Sequence, residues 1–74
     1  MKDLKISLAA ARVNAELTQA EVADKMQVSK NIIIDIEAGR RAIKPAELSY
    51  LARLYNVDED NIRMPIYTPM QPRS

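Results

Sequence analysis

The chain has 74 residues and a mass of 8.4 kDa, which is the size of one small domain and leaves little room for an enclosed active site. It contains no cysteine and no histidine, which excludes disulfides, thiolate metal sites and the usual imidazole chemistry. Apolar residues make up 47% of the sequence and charged residues 28%, a balance typical of a folded domain. The net charge of +1 does not by itself indicate a nucleic-acid binder.

Membrane insertion and catalysis find no support in the sequence. No apolar run approaches the ~20 residues that span a bilayer, and no apolar stretch of a signal peptide follows the first residues. We therefore expect a cytoplasmic protein. Because the sequence offers no histidine to activate a serine and no glycine-rich phosphate loop, we expect no enzyme activity, no metal and no cofactor.

Helices dominate the prediction for the first half of the chain. The first 44 residues contain no proline and are rich in alanine, leucine, lysine and glutamate. Apolar residues spaced by about one helical turn predict helix 1 over about 4–15. Thr18, followed three residues later by Glu21, forms a capping box that begins helix 2, roughly 19–26.

A third helix is predicted shortly after the second. Ser29 is a good N-cap and Gly39 a good stop signal, which together predict helix 3 over roughly 30–38. The link between helices 2 and 3, residues 27–29, is only about three residues long. That is the length of the turn in a helix-turn-helix pair.

The second half of the chain contains all four prolines. Pro45 fits the first position of a fourth helix, and Asp58 is expected to cap a short fifth helix that reaches Ile62. The sequence therefore predicts an all-α fold, a compact five-helix bundle over residues 1–63. In residues 64–74 three prolines favour an extended arm, with a loose terminus as the alternative.

The order of these signals resembles the Cro and phage-repressor type of helix-turn-helix proteins over about residues 4–62. The residues that carry the resemblance are Thr18-Gln19-Ala20-Glu21-Val22-Ala23, Val28-Ser29, Ile33, Ile36-Glu37, Gly39-Arg40-Arg41, Pro45, Leu48, Leu51 and Ala52. The resemblance implies a lambda-repressor-like DNA-binding domain, usually a dimeric transcriptional repressor, whose helix 3 lies in the major groove.

The resemblance also implies which residues face the base edges. Lys30 and Asn31 match such positions; lysine can donate to guanine, and asparagine can pair with adenine. For Lys30, a contact with phosphate alone is the alternative. Asp35 matches a third position and can accept from cytosine. The flanking isoleucines Ile32 and Ile34 are unexpected here, and we predict that one or both are exposed. They would then contact thymine methyls or anchor a protein partner.

Contacts with the DNA backbone are implied for a second group of residues. Gln19 stands at the start of helix 2, and Ser29 lies near the backbone at the start of helix 3. Arg40, Arg41 and Lys44 follow helix 3 in a loop that often runs along the phosphates in this family. For Gln19 and the loop residues, a solvated surface position is the alternative.

Two further features concern the geometry of the domain. Arg12 and Glu37 match an Arg–Glu pair that ties helix 1 to the end of helix 3 in relatives, a structural role. Gln27 departs from the family pattern, because relatives usually place glycine at this turn position. A left-handed conformation there costs a non-glycine residue ~1–2 kcal/mol, so we expect a slightly strained or differently shaped turn.

The resemblance implies a small homodimeric repressor of phage or mobile-element origin that binds double-stranded DNA. The candidate dimer contacts are Tyr50 and, in the arm, Ile66 and Tyr67. For Tyr50, an ordinary surface position is an equally favoured alternative. The alternative function is a protein-interaction module, such as an antitoxin-like or regulatory subunit. It would grip a protein partner through the Ile32 and Ile34 face or through the arm.

Overall fold

The computed structural model describes residues 5–64, and this part of the chain is mostly helical. Helices 2, 3 and 4 begin at the predicted residues. The elements in chain order are β1 (Ile6–Ser7), α1 (Leu8–Asn14), α2 (Gln19–Met26), α3 (Lys30–Ala38), α4 (Pro45–Leu54), a 3-10 turn (Glu59–Asn61) and β2 (Ile62–Arg63).

The prediction of helix 1 over about 4–15 is wrong at its N-terminal end, and the fold is not purely helical. Ser7 has extended backbone angles, and its Oγ accepts a hydrogen bond from the Ala10 amide at 3.0 Å, so α1 begins only after it. The preceding residues form β1, which pairs in parallel with β2 and places Ile6 opposite Ile62.

The predicted short fifth helix is present only as a single 3-10 turn, Glu59–Asn61. Asp58 begins the turn as expected: its Oδ1 accepts from the Asp60 amide at 3.1 Å, and its carbonyl accepts from the Asn61 amide at 2.9 Å. Ile62 then becomes extended, is buried, and pairs with β1. The three residues between the cap and this strand are too few for an α-helix.

The core collects buried side chains from each of the four α-helices in residues 5–64 and from β2. Because burial of one large aliphatic side chain contributes about 1.5–3 kcal/mol, this cluster is the main stabilising feature of so small a domain. Its members are Leu8, Ala11, Val22, Ala23, Ile33, Ile36, Leu51, Ala52, Tyr55 and Ile62.

The α-helices of residues 5–64 all end in the same way, with a left-handed residue followed by an amide that donates back to a carbonyl inside the helix. The left-handed residues are Glu16, Gln27, Gly39 and Asn56. After three of the helices the donating residue is apolar and packs against the core: Leu17, Val28 and Val57. After α3 the donating residue is Arg40, which is exposed and begins the loop of residues 40–44, called the basic loop below.

Candidate nucleic-acid interface

The turn between α2 and α3 is fixed by its backbone. Gln27 adopts a left-handed conformation, with φ 60° and ψ 44°, at the position where relatives usually carry glycine. The Val28 amide donates to the Ala23 carbonyl at 3.0 Å, and its side chain packs against the core. The turn therefore has the left-handed backbone geometry that a glycine would adopt easily. Gln27 adopts the same geometry at a cost in conformational free energy.

A part-buried polar network holds α1, α2 and α3 together. Arg12 and Glu37 form a two-bond ion pair, with Nε to Oε2 at 2.7 Å and Nη2 to Oε1 at 3.3 Å. The two side chains are only 13% and 9% exposed. Arg12 also donates to the Leu17 carbonyl at 2.9 Å. The hydrogen bond to Glu37 raises the pKa of the Arg12 guanidinium despite its burial.

Gln19 joins this network from the first position of α2. Its Nε2 donates to Glu37 Oε1 at 3.0 Å, so the Glu37 carboxylate binds the start of α2 as well as α1. The side chain is half-buried rather than fully solvated. An amide nitrogen carries two hydrogens, and the bond to Glu37 uses one of them.

The outer face of α3 consists of residues spaced one turn apart on the side opposite to the buried Ile33 and Ile36: Asn31, Ile34, Asp35 and Ala38. Asn31 and Ala38 are exposed, and Ile34 and Asp35 are half-buried. Lys30, the first residue of α3, is exposed beside this face. Of the three polar residues that the resemblance assigns to base edges, Asn31 and Asp35 thus share the outer face, and Lys30 lies beside it at the start of the helix.

The prediction that one or both flanking isoleucines are exposed is wrong. Ile32 lies one turn before the buried Ile36 and packs against the core, which covers much of its side chain. Ile34 is outside the core cluster but is also half-buried, as is common for a large side chain with neighbours one turn away on a helix. Neither residue offers an exposed apolar anchor.

Ser29 occupies the N-cap of α3 without using its hydroxyl for capping. Its backbone is extended, and its carbonyl accepts from the Ile32 amide at 3.0 Å. The side chain makes no capping hydrogen bond and is exposed. The hydroxyl and the unpaired first-turn amides of α3 therefore lie at the same helix end.

Two arginines of the basic loop that follows α3 are paired with carboxylates. Arg40 donates from Nε to Asp35 Oδ1 at 3.0 Å, and its Nη2 lies 3.0 Å from the same oxygen. Arg41 Nη1 lies 3.4 Å from Glu47 Oε1. Lys44 is exposed at the N-cap of α4. In the free protein, these two arginines are thus not simply solvated loop residues.

Glu47 has a second role at the start of α4, where its Oε1 accepts from the Lys44 amide at 2.9 Å. Burial opposes ionisation of Glu47, but this hydrogen bond and the nearby Arg41 outweigh it and lower the pKa of the carboxyl below its ordinary value. Glu47 is not among the site residues expected from the sequence. Its position three residues after Lys44 is that of the acidic member of a capping box, which is a usable signal.

The residues expected at a dimer contact divide into two groups. Tyr50 is 40% exposed on α4, and its hydroxyl donates to the Lys25 carbonyl at 3.2 Å, which fixes the ring against the end of α2. Ile66 and Tyr67 lie outside the described residues, as does nearly all of the predicted arm.

Comparison with known proteins assigns the family. Among the helices of residues 5–64, none has the length and apolar character needed to cross a membrane. We find no significant match among curated proteins or among solved structures. A family model described as helix-turn-helix matches residues 8–62, most of the chain, which confirms the resemblance. The chain therefore belongs to the Cro and phage-repressor type of helix-turn-helix family, whose members are DNA-binding regulatory domains.

Proposed function

We propose that the protein is a sequence-specific repressor that binds double-stranded DNA as a homodimer and reads the major groove with α3. The observation that carries this proposal is the placement of Lys30 and Asn31. Both are exposed at the N-terminal end of α3, while the part-buried network around Glu37 anchors the same helix from the other side. A reading helix needs this combination of a fixed position and free polar tips.

The two exposed residues have the chemistry that base reading requires. Asn31 can form two hydrogen bonds with adenine, and Lys30 can donate to the O6 and N7 of guanine. Each good pair of this kind discriminates against a wrong base by about 1–3 kcal/mol. Ile34 lies on the same outer face, and Ile32 lies beside it on the same helix. Being half-buried, they would add methyl contacts to thymine rather than dominate the contact.

Backbone contacts would hold this helix in register. Gln19 and Ser29 lie at the N-termini of α2 and α3, where the helix ends favour anions. Lys44 and Arg41 extend the positive surface along the loop after α3. These contacts supply affinity and orientation without choosing the sequence.

Dimerisation would place two copies of α3 in successive major grooves, with half-sites one helical turn apart. The candidate contacts are the exposed Tyr50 and, in the arm, Ile66 and Tyr67. A dimer bound across a promoter would exclude the polymerase. The alternative is a protein-interaction module. Its form that uses the Ile32 and Ile34 face has less support, because neither residue presents the exposed anchor it requires; its form that uses the arm stays a prediction.

A matched pair of double variants tests the reading role of α3. Labelled DNA from the region upstream of the protein's own gene is titrated beside scrambled DNA at several salt concentrations. Replacing Lys30 and Asn31 with alanine is expected to lower the preference for the upstream fragment about tenfold or more. The control replaces Arg53 and Asn61, which are exposed in α4 and the 3-10 turn, with the same loss of one cation and one amide.

The outcomes separate clearly. If the control also loses the preference, the role of α3 is contradicted, since charge alone then explains the effect. If the wild-type protein binds upstream and scrambled DNA equally, or binds neither at low salt, sequence-specific recognition of this region is contradicted. A salt slope of about −0.9 per neutralised phosphate measures how many backbone contacts form.

A further inference from the structure

Asp35 binds the start of the basic loop twice. Its backbone carbonyl accepts hydrogen bonds from the Arg40 amide at 2.9 Å and the Arg41 amide at 3.3 Å. Its side chain accepts from Arg40 Nε at 3.0 Å, and Arg40 Nη2 lies 3.0 Å from the same oxygen. The guanidinium of Arg40 is therefore turned back toward Asp35 on α3, although the side chain remains largely exposed.

The position of Asp35 is unfavourable for stability of the helix alone. It lies in the last turn of α3, where the helix dipole disfavours negative charge, and this turn contains no basic residue. It also lies one turn after Asn31 on the outer face, where a carboxylate would meet a polyanion. Within residues 5–64, its ion-pair partner is Arg40.

The pair occupies one of the two edges with which the Arg40 guanidinium can bind a phosphate. Nε and Nη2 form the edge that gives two parallel hydrogen bonds from the side of the group, and both nitrogens face Asp35. Yet the side chains are 63% and 41% exposed, so the pair is weak enough for a better partner to displace it.

We propose that Asp35 restrains Arg40 from the DNA backbone and thereby limits binding to non-specific DNA. The inference rests on the proposed DNA-binding function and adds a specificity-determining residue to it. Arg41 is held by Glu47, which also caps α4, so that pair is part of the fold. Asp35 makes no such capping bond, and its charge can be removed without opening a helix.

The test uses a mixed-sequence duplex of about two helical turns, with affinity measured across a salt series. Asp35→Asn keeps the shape of the side chain and removes its charge. We expect about tenfold tighter binding by the dimer at low salt, and a salt slope steeper by about 0.9 per protomer, because each Arg40 gains one phosphate. Thermal unfolding should stay within a few degrees of wild type, since the residue is partly exposed.

Two further variants make the experiment decisive. Asp60→Asn removes the same charge from the exposed 3-10 turn and is expected to change affinity only slightly. In an Arg40→Ala background, Asp35→Asn is expected to have no larger effect than this control. An equal gain with and without Arg40 would overturn the proposal, because Asp35 would then act by simple repulsion. An unchanged affinity of Asp35→Asn would overturn it as well.

The same data distinguish this inference from the proposed function. If wild type binds the duplex and Asp35→Asn binds no tighter, the inference fails while DNA binding stands. If neither protein binds any duplex at low salt, the proposed function itself fails.

Discussion

The two sides of α3 differ in what their side chains do. On the inner side, Ile33 and Ile36 are fully buried, and Glu37 binds donors from α1 and α2. On the outer side, Asn31 faces solvent and Asp35 carries a weak pair with the following loop. The inner side fixes where the helix lies, and the outer side decides what it touches. Substitutions should therefore separate folding from recognition according to the side they fall on.

The sharpest contrast comes from truncating one isoleucine on each side. Ile36→Ala removes a buried side chain and is expected to cost about 3 kcal/mol of unfolding free energy, a large part of the stability of so small a domain. Ile34→Ala, half-buried outside the core cluster, is expected to cost less than about 1 kcal/mol. Urea denaturation followed by circular dichroism measures both. Equal losses would contradict the distinction.

The polar part of the inner side gives the next largest effect. Arg12→Met leaves the Glu37 carboxylate buried with Gln19 as its remaining side-chain donor, which is expected to cost about 2 kcal/mol after allowance for partial exposure. Adding Glu37→Leu should restore most of this loss, since the unpaired charge is then gone. The same denaturation assay compares the single and double variants. A single variant as stable as wild type would show that the pair does not hold α3 in place.

A substitution in the turn before α3 is expected to have a smaller effect of opposite sign, a gain in the free energy of unfolding. Gln27→Gly relieves a left-handed conformation and is expected to raise the unfolding free energy by about 1 kcal/mol. Asn56→Gly is the matched control at the end of α4; it should gain less, because asparagine tolerates this conformation. Melting temperatures of the two variants provide the test. A gain at residue 56 that equals the gain at residue 27 would argue against strain in the turn.

The smallest effect is confined to alkaline solution. Burial, with a contribution from nearby Glu37, raises the pKa of Tyr55 to about 12 from its ordinary value of 10. The unfolded chain therefore ionises first, so this residue's contribution to stability is present below pH 10 and is lost between about pH 10 and 12. Tyr55→Phe should unfold with a shallower pH dependence in this range, as measured by chemical denaturation. Identical pH profiles would mean that Tyr55 ionises as easily in the folded protein.

Local signals predicted much of the fold, and non-local pairing explains what they missed. The capping box at Thr18 and the stop at Gly39 are signals between residues that are close in sequence. They correctly predict the start of α2 and the end of α3. The strand pair depends on Ile6 meeting Ile62, which no local pattern reveals. The residues that pair lie where α1 was predicted to begin and where the fifth helix was predicted to end.

The candidate site shows the same division. The exposed positions of Lys30 and Asn31 follow from the helical period, as does the inner position of Ile33. The pairing of Asp35 with Arg40 does not, because the two residues are five apart and meet only after Gly39 reverses the chain. The exposure of Ile32 and Ile34 was predicted wrongly, because the exposed fraction of a side chain depends on the residues that pack around it in the fold.

The most direct test of the account is to record backbone amide chemical shifts of the labelled protein while the DNA fragment that it binds is added. We predict that the largest shifts cluster at the starts of α2 and α3 and in the loop from Arg40 to Lys44. Amides on the inner side of α3 and in the 3-10 turn should move little. Large shifts confined to α4 and the 3-10 turn, with residues 30–35 unchanged, would contradict the claim that α3 reads DNA.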